Sequence, residues 1–345
     1  MKKLFSILLV IAMMFSLVAC VPGGSGTTNT SGTTGSNEAV ASFPITVTDH
    51  AGRSVTIESA PEKLVSGYYI STSALIALGL EEKLVGIEAK AGSRPIYKLS
   101  APELIDLPNV GTAKEFNLEG CLALEPDLVI LPLKLKNSAE QLEQLGIDVL
   151  LVNPENQELL ESMINMIAAA TGTQAKAQEL LGFANEQKEM LAEKLKDTSA
   201  PKVYLAGNSS MLSTAGSAMY QSDMISNAGG VNVAKDITDN YWVEINYEQL
   251  LAWDPEYIIL ASDAKYTVND VLSDPNIADC TAVKNNNVYQ MPSKAEAWDS
   301  PVPSGILGSV WLANVLHKDA FSDVECNALI DEYYETFYGF KYSEK

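Results

Sequence analysis

Aromatic, hydroxyl and basic side chains collect in segments that directly follow predicted strands. Aromatic rings give a bulky ligand broad and rigid contact, and Lys or Arg pairs with carboxylates or an oxyanion. Hydroxyls and backbone amides at a helix start offer an anion hydrogen-bond donors. These residue types therefore predict ligand binding. The main predicted contacts are Tyr68, Tyr69, Ser71, Thr72, Arg94, Tyr241, Trp242 and Trp298, and a second set comprises Lys90, Lys114, Lys134, Asn208, Ser210 and Glu296.

Some nearby side chains have a purely structural alternative. Lys134 and Lys136 also fit a solvated sheet edge, where they would touch no ligand. Tyr97 and Tyr220 fit core positions equally well. The sequence leaves both alternatives open.

The sequence contains none of three common catalytic motifs. The chain has no Gly-x-Ser-x-Gly elbow, no His-Glu-x-x-His pair and no Gly-x4-Gly-Lys phosphate loop. Its 2 histidines are too few for a metal site of clustered imidazoles. Cys121 is expected to be buried, whereas a bridge between Cys280 and Cys326 stays open. We therefore expect a binding protein that is not an enzyme, with no resident cofactor and no resident metal site. Direct ligation of a ligand's metal by Tyr or Glu of the cleft stays open.

The elements that must position the ligand contacts alternate between strand and helix. Residues 45–57 predict a β-hairpin, and the later strands are apolar on both faces, which indicates parallel sheets with covered faces. Residues 174–196 carry apolar side chains at helical spacing over about 33 Å, long enough to cross between two lobes. The predicted fold is α/β, with two Rossmann-like lobes of mostly parallel sheet, one long joining helix and a ligand cleft between the lobes. The predicted bounds are 43–173 for the first lobe, 174–197 for the helix and 198–345 for the second lobe.

A segment of fifteen residues occurs twice, at 117–131 and 246–260, with seven identical positions. Each copy predicts one short helix, a turn and one buried strand. The Asn that starts each copy is a suitable N-cap, and the acidic residue two positions later (Glu119, Glu248) complements the helix dipole. Helix stability alone therefore explains both glutamates, and any other role needs separate support.

The first residues predict export rather than folding. Lys2 and Lys3 precede an apolar run, and the run ends at Cys20, as in a secretory signal. A small residue directly before Cys20 resembles a bacterial lipobox, which implies cleavage there and a diacylglycerol on the sulfur. The alternative is an ordinary thiol after a plain signal peptide. Residues 1–20 are thus the predicted signal and 21–42 a flexible Gly/Ser/Thr tether.

The charge balance excludes one class of partner. Acidic residues outnumber basic ones by 44 to 23, and the formal net charge is −21. Nucleic acid and anionic lipid surfaces repel such a body. An anionic ligand needs a local basic pocket that works against this field.

Several ordered stretches resemble the substrate-binding proteins of ABC importers. The closest class has a single bridging helix and serves iron–siderophore, haem, cobalamin and related metal complexes. The resemblance covers residues 43 to about 340 and is carried by 47–53, 61–66, 77–87, 117–131, 229–232 and 298–313.

This resemblance implies a lipid-anchored, monomeric protein at the outer face of the cytoplasmic membrane. Its partners would be an ABC permease dimer with its ATPase subunits, and Glu119 and Glu248 would seat against arginines of the two permease copies. The implied ligand is a chelated metal, foremost a ferric siderophore or similar iron complex. Haem, a corrinoid or an oxyanion such as molybdate remain alternatives, as does a sensor or adhesin that has no transporter.

Overall fold

The computed structural model describes residues 42–238 and 241–345. The predicted signal segment, Cys20 and residues 21–41 of the predicted tether lie outside the described residues. The description begins with an antiparallel hairpin of β1 (Ile45–Thr48) and β2 (Ser54–Ile57), as the alternating sequence predicts. No helix within the described ranges is both long and apolar enough to cross a bilayer.

The first lobe is built on a parallel sheet of four strands. Its strand order is β4-β3-β5-β6, and every pairing in it is parallel. The strands are buried on both faces, which explains their continuous apolar sequence. The elements are β3 (Leu64–Ser66), α1 (Tyr69–Ala77), β4 (Leu84–Ile87), α2 (Pro95–Ser100), α3 (Leu118–Leu122), β5 (Leu128–Pro132), α4 (Lys136–Gln144), β6 (Asp148–Val152) and α5 (Gln157–Thr171).

The long helix follows the first lobe as α6 (Gln174–Leu195), with 22 residues. Gly172 ends α5 in the left-handed conformation at φ 76°, which a residue without Cβ adopts at little cost, so the chain can turn into α6. The buried positions of α6 follow helical spacing and include Ala177, Leu180 and Leu191. The predicted long helix is confirmed.

The second lobe repeats the architecture of the first. Its sheet has the order β12-β11-β7-β9, again with parallel pairings, and a short antiparallel pair joins β8 to β10. The elements are β7 (Lys202–Ala206), β8 (Ser213–Thr214), α7 (Tyr220–Asn227), β9 (Val231–Asn232), β10 (Val243–Glu244), α8 (Tyr247–Trp253), β11 (Tyr257–Leu260), α9 (Val268–Leu272), α10 (Thr281–Lys284), β12 (Val288–Gln290), α11 (Ile306–Leu316) and α12 (Asp323–Tyr338).

Both sheets share one strand order. Counted along each lobe, the strands lie in the order second, first, third, fourth. The duplicated segment supplies the third strand of each lobe, β5 and β11, together with the helix before it, α3 and α8. The fold prediction is therefore confirmed: two parallel-sheet lobes and a long helix between them in sequence.

The lobes also share a core. One apolar cluster includes Ile70 and Leu75 of α1, Leu180 and Leu191 of α6, and Phe337 of α12. The C-terminal helix α12 thus packs against the first lobe, so the long helix is not the sole connection between the lobes.

The cysteines divide among separate cores. Cys121 is fully buried, as predicted from its place in the duplicated segment. Cys280 and Cys326 are both free and buried, and they belong to different apolar clusters. A bridge between them, which the sequence left open, is absent from the structure. Burial raises the pKa of the Cys121 thiol to about 11 and that of the Cys326 thiol to about 12, so both stay protonated and inert near neutral pH.

Candidate ligand-binding site

A cavity of about 390 Å³ lies between the two lobes. Both lobes contribute to its wall through segments that follow strands of the parallel sheets, where ligands of such folds bind. Its lining residues are Tyr69, Ser93, Arg94, Pro95, Ile96 and Tyr97 from the first lobe, and Asp263, Ser293, Ala295, Glu296, Ala297 and Val302 from the second.

Arg94 brings positive charge to the first-lobe wall. It stands directly before Pro95, the first residue of α2, so its backbone is extended while the next residues turn into the helix. Its guanidinium carbon lies 4.0 Å from the centre of the Tyr69 ring. Its Nε is buried and has no hydrogen-bond partner. Among the described residues, no carboxylate forms an ion pair with this guanidinium.

The ring of Tyr69 packs against the Arg94 guanidinium. Its ring packs edge-on against Tyr68 at a centroid distance of 5.2 Å. Burial raises the pKa of its phenol, and the charge on Arg94 and the neighbouring Ser300 of the second lobe oppose that rise. Tyr69 therefore fixes the position of the Arg94 guanidinium in the first-lobe wall.

Glu296 faces the cavity from the second lobe. Ser73 Oγ donates to one carboxyl oxygen at 2.6 Å, and Ser304 Oγ donates to the other at 2.5 Å. Ser73 belongs to the first lobe, so this carboxyl joins the two lobes. Burial raises the pKa of Glu296, and hydrogen bonds from the two serines and the charge on Arg94 oppose that rise.

Two more buried acids lie near the cleft. Glu88 accepts hydrogen bonds from Tyr97 and Thr72, each at 2.7 Å, and burial raises its pKa. Asp299 accepts from the backbone N–H and the hydroxyl of Ser262 at 3.0 and 2.6 Å, and burial raises its pKa as well. The cleft is thus surrounded by carboxyls that hydrogen-bond to neutral groups.

Three of the sequence-predicted contacts line the cavity: Tyr69, Arg94 and Glu296. Tyr68 lies one layer behind, with its ring against Tyr69. These residues lie in segments that follow β3, β4 and β12, which is where ligand contacts are expected in parallel sheets.

Three other predicted contacts lie in the protein interior, away from the cavity wall. Trp298 is 1% exposed, donates its indole N–H to Tyr334 and packs against Tyr342 with the two rings tilted by 36°. Thr72 and Ser71 are fully buried because α1 starts three residues earlier than expected, at Tyr69 instead of Thr72. The structure corrects the sequence here: Trp298, Ser71 and Thr72 support the core around the cleft.

The remaining predicted contacts lie outside the cavity wall. Tyr241 is 67% exposed. Trp242 packs on Gly207, where an added Cβ would come within 2.9 Å of the indole. Ser210 accepts from the backbone of Leu212. The other members of this set are exposed and absent from the lining: Lys90, Lys114, Lys134 and Asn208.

The structure also places at the cleft several residues that sequence reasoning missed. Asp263 lines the cavity and follows β11, just as Lys134 follows β5 in the first copy of the duplicated segment. Applying the expectation that ligand contacts follow parallel strands to the second copy would therefore have identified it. The roles of Ser73 and Ser304, which hydrogen-bond Glu296, could not be predicted from the sequence, because each serine lies within or beside a helix of apolar residues. For Tyr97 the sequence left open a core position or a place at the ligand site. The structure combines the two, because the side chain is 1% exposed and also lines the cavity.

The duplicated helices present their glutamates to solvent. Asn117 accepts a hydrogen bond from the backbone N–H of Gly120 at 2.9 Å, and Asn246 accepts from that of Gln249 at 2.8 Å. Both asparagines are N-caps, as predicted. Glu119 and Glu248 stand two residues later in the first turn, and both are exposed.

The described residues offer few side chains that could ligate a metal ion together. In residues 42–238 and 241–345, no group of three or more His, Cys, Asp or Glu side chains is placed to hold a metal ion.

Several named proteins are similar to this chain in sequence. The molybdate-binding protein MolA of Haemophilus influenzae is 28% identical over 323 residues, which cover 86% of this chain and 91% of MolA. The uncharacterized ABC transporter substrate-binding lipoprotein YvrC of Bacillus subtilis is 28% identical over 291 residues, covering 81% of this chain and 88% of YvrC. Further matching relatives are named as cobalamin-binding and Fe(3+)-citrate-binding proteins.

A solved structure of one of these relatives has a fold similar to that of this chain. The structure of Haemophilus influenzae MolA bound to molybdate superposes with a TM-score of 0.74 at 26% identity, and the match covers 86% of this chain and 99% of that one.

The fold and its interlobe cavity define a two-lobed solute-binding protein of the kind that ABC importers use. The model of the family described as "Periplasmic binding protein" matches residues 64–295. The chain belongs to the periplasmic binding protein family.

Proposed function

We propose that this chain is the solute-binding component of an ABC importer and that it captures a small oxyanion of the molybdate class in the interlobe cleft. The observation that carries this proposal is the guanidinium of Arg94, which lines the cavity without an ion-pair partner among the described residues and with a buried, unpartnered Nε.

The electrostatics of Arg94 favour an anion. A guanidinium that is partly removed from water loses hydration, and this loss is offset only when an opposite charge or acceptor oxygens face it. Its planar set of donors matches the spacing of two oxygens on one oxyanion. Stacking on Tyr69 holds the plane in place, so the donors keep a fixed direction toward the ligand.

The size of the cavity favours a small ligand. At about 390 Å³ it lies near the lower end of the roughly 300–1,000 Å³ range of small-molecule sites, which disfavours haem and corrinoids. The molybdate bound by a relative that matches nearly the whole chain supports the same class. The predicted ferric siderophore stays a prediction, and an iron chelate with carboxylate groups is the comparison ligand for the experiment below.

Delivery to a permease accounts for the exposed glutamates. Each lobe carries one glutamate in the first turn of the same helix, so a symmetric permease dimer with basic residues on each copy would meet one carboxylate from each lobe. A lipid on Cys20 and the polar tether would keep the body near that permease at the outer face of the membrane.

Titration calorimetry on the purified protein tests the ligand class. Molybdate is compared with ferric citrate, haem and cyanocobalamin. We expect molybdate to bind, and we expect Arg94→Gln to weaken it by roughly 30-fold or more, the usual cost of removing a buried charged contact.

Lys98→Gln serves as the matched control, because Lys98 is exposed on α2, the helix that Arg94 precedes, and lies outside the cavity wall. It removes the same charge and should change affinity by less than about twofold. If molybdate does not bind, or if Arg94→Gln binds it as the wild type does, the proposal is wrong.

A further inference from the structure

The two walls of the cleft carry opposite charges. Arg94 faces the cavity from the first lobe, whereas Glu296 and the exposed Asp263 face it from the second. A dianion beside Arg94 would share a partly closed space with these carboxyls. Like charges in a site of low dielectric repel strongly, so one of the carboxyls must become neutral for the dianion to bind well.

Glu296 is built to hold either charge state. Its two oxygens meet only hydroxyls, those of Ser73 and Ser304, and Ser73 in turn hydrogen-bonds Tyr338 at 3.0 Å. A hydroxyl donates or accepts, so the same partners serve a carboxylate and a protonated carboxyl. Asp299 differs, because the backbone N–H of Ser262 can only donate to it and so favours its ionised form.

The charged and titratable groups that face Glu296 come from several elements. Arg94 approaches from the start of α2 and favours the ionised form. Lys294 is directed away, since its Nζ donates to the backbone oxygen of Tyr342. The acids Asp263 and Asp299 lie on the same lobe. The phenols of α12 surround the carboxyl, and burial keeps their own pKa values raised: Tyr333, Tyr334 and Tyr338.

We propose that Glu296 takes up a proton from solvent when a dianionic oxyanion binds beside Arg94, and that this proton lets the acidic second-lobe wall accept two negative charges. This inference rests on the proposed function. Ser73 and Ser304 then accept or donate according to the state of the carboxyl, and the contact between the lobes is kept in both states.

The coupling has a definite sign. Burial already raises the pKa of Glu296, and a bound dianion raises it further. The complex therefore holds more protons than the free protein, and affinity for the dianion increases as pH falls between the two pKa values, by up to about tenfold per pH unit.

Calorimetry in buffers of different ionisation enthalpy measures the proton count directly. Molybdate is titrated into the wild-type protein between about pH 5 and pH 8, where we expect an uptake that approaches about one proton at its maximum. Glu296→Gln is a neutral isostere that keeps both hydroxyl contacts. It should bind molybdate with an affinity near that of the wild type at low pH, without pH dependence beyond that of the anion itself. Glu103→Gln, which removes an exposed carboxylate outside the cavity wall, should leave the affinity and the proton count unchanged.

The outcomes separate this inference from the proposed function. If no oxyanion binds the wild type, the proposed function fails. If molybdate binds through Arg94 but no proton is taken up across this pH range, or if Glu296→Gln takes up as many protons as the wild type, the role of Glu296 is wrong. Should Glu296→Gln not fold, the wild-type proton count alone decides the question.

Discussion

The two copies of the duplicated segment have the same structure, whereas the two walls of the cleft differ in charge. Both copies start with an Asn cap, and each reaches its strand through an acidic residue in the left-handed conformation, Glu125 at φ 50° and Asp254 at φ 45°. The walls of the cleft, by contrast, are cationic on one side and acidic on the other.

The similarity between the copies extends to single hydrogen bonds. The carboxylate of Asp127 accepts from the backbone N–H of Lys63, and that of Glu256, at the same place in the second copy, accepts from that of Lys202. Each bond ties the start of the third strand to the start of the first. The repeated part thus sets the frame, whereas the residues that line the cavity follow the other ends of the strands.

The largest expected effect concerns the two exposed glutamates that the copies share. Reversing both charges, Glu119→Arg with Glu248→Arg, should abolish uptake of the ligand by cells, because both contacts with a basic permease become repulsive. Ligand affinity of the purified protein should change by less than about twofold, since neither side chain lines the cavity.

A matched control reverses one exposed glutamate of each lobe elsewhere, Glu103→Arg with Glu332→Arg. It makes the same change in net charge and should leave uptake intact. Normal uptake by the Glu119/Glu248 double variant would show that these residues serve only the helix ends.

An intermediate effect is expected at the cationic wall. Tyr69→Leu removes the ring behind Arg94 and should weaken molybdate binding by roughly 3- to 30-fold, the range of a partly buried cation–π contact. Tyr69→Phe keeps the ring behind Arg94 and loses only the hydroxyl, so its affinity should stay within about twofold of the wild type. Calorimetry that finds the two variants equally weak would assign the role to the hydroxyl instead.

The smallest effect is expected at the helix caps. Asn117→Ala and Asn246→Ala should each lower the free energy of unfolding by about 1 kcal/mol, since each loses one hydrogen bond at a helix start. Urea denaturation measures both, and Asn→Ser at the same positions keeps an acceptor and should recover most of the loss. A clear difference between the two Ala variants would mean that the copies are less alike than their hydrogen bonds indicate.

Much of the fold was predictable because local patterns carry it. The long helix, the hairpin, the apolar strands and the Asn caps all depend on residues close together in sequence. The lining of the cavity was predictable in part, because Tyr69, Arg94 and Glu296 follow strands and lie in its wall. Their contact with a ligand stays a prediction. Trp298 was misplaced, since an aromatic residue after a strand suits the cleft and the core equally, and only its partner Tyr334 in α12 decides between them.

The sequence by itself determined the two-lobed α/β architecture and the repeated frame, because hydrophobic period, capping and turn residues act over a few positions. The tertiary structure alone decided which side chains meet in the cleft. Ser73 and Glu296 are 223 residues apart in the chain, yet they share one hydrogen bond. No local pattern encodes such a contact; it arises when two lobes and the helix α12 pack together and bury a carboxyl among hydroxyls.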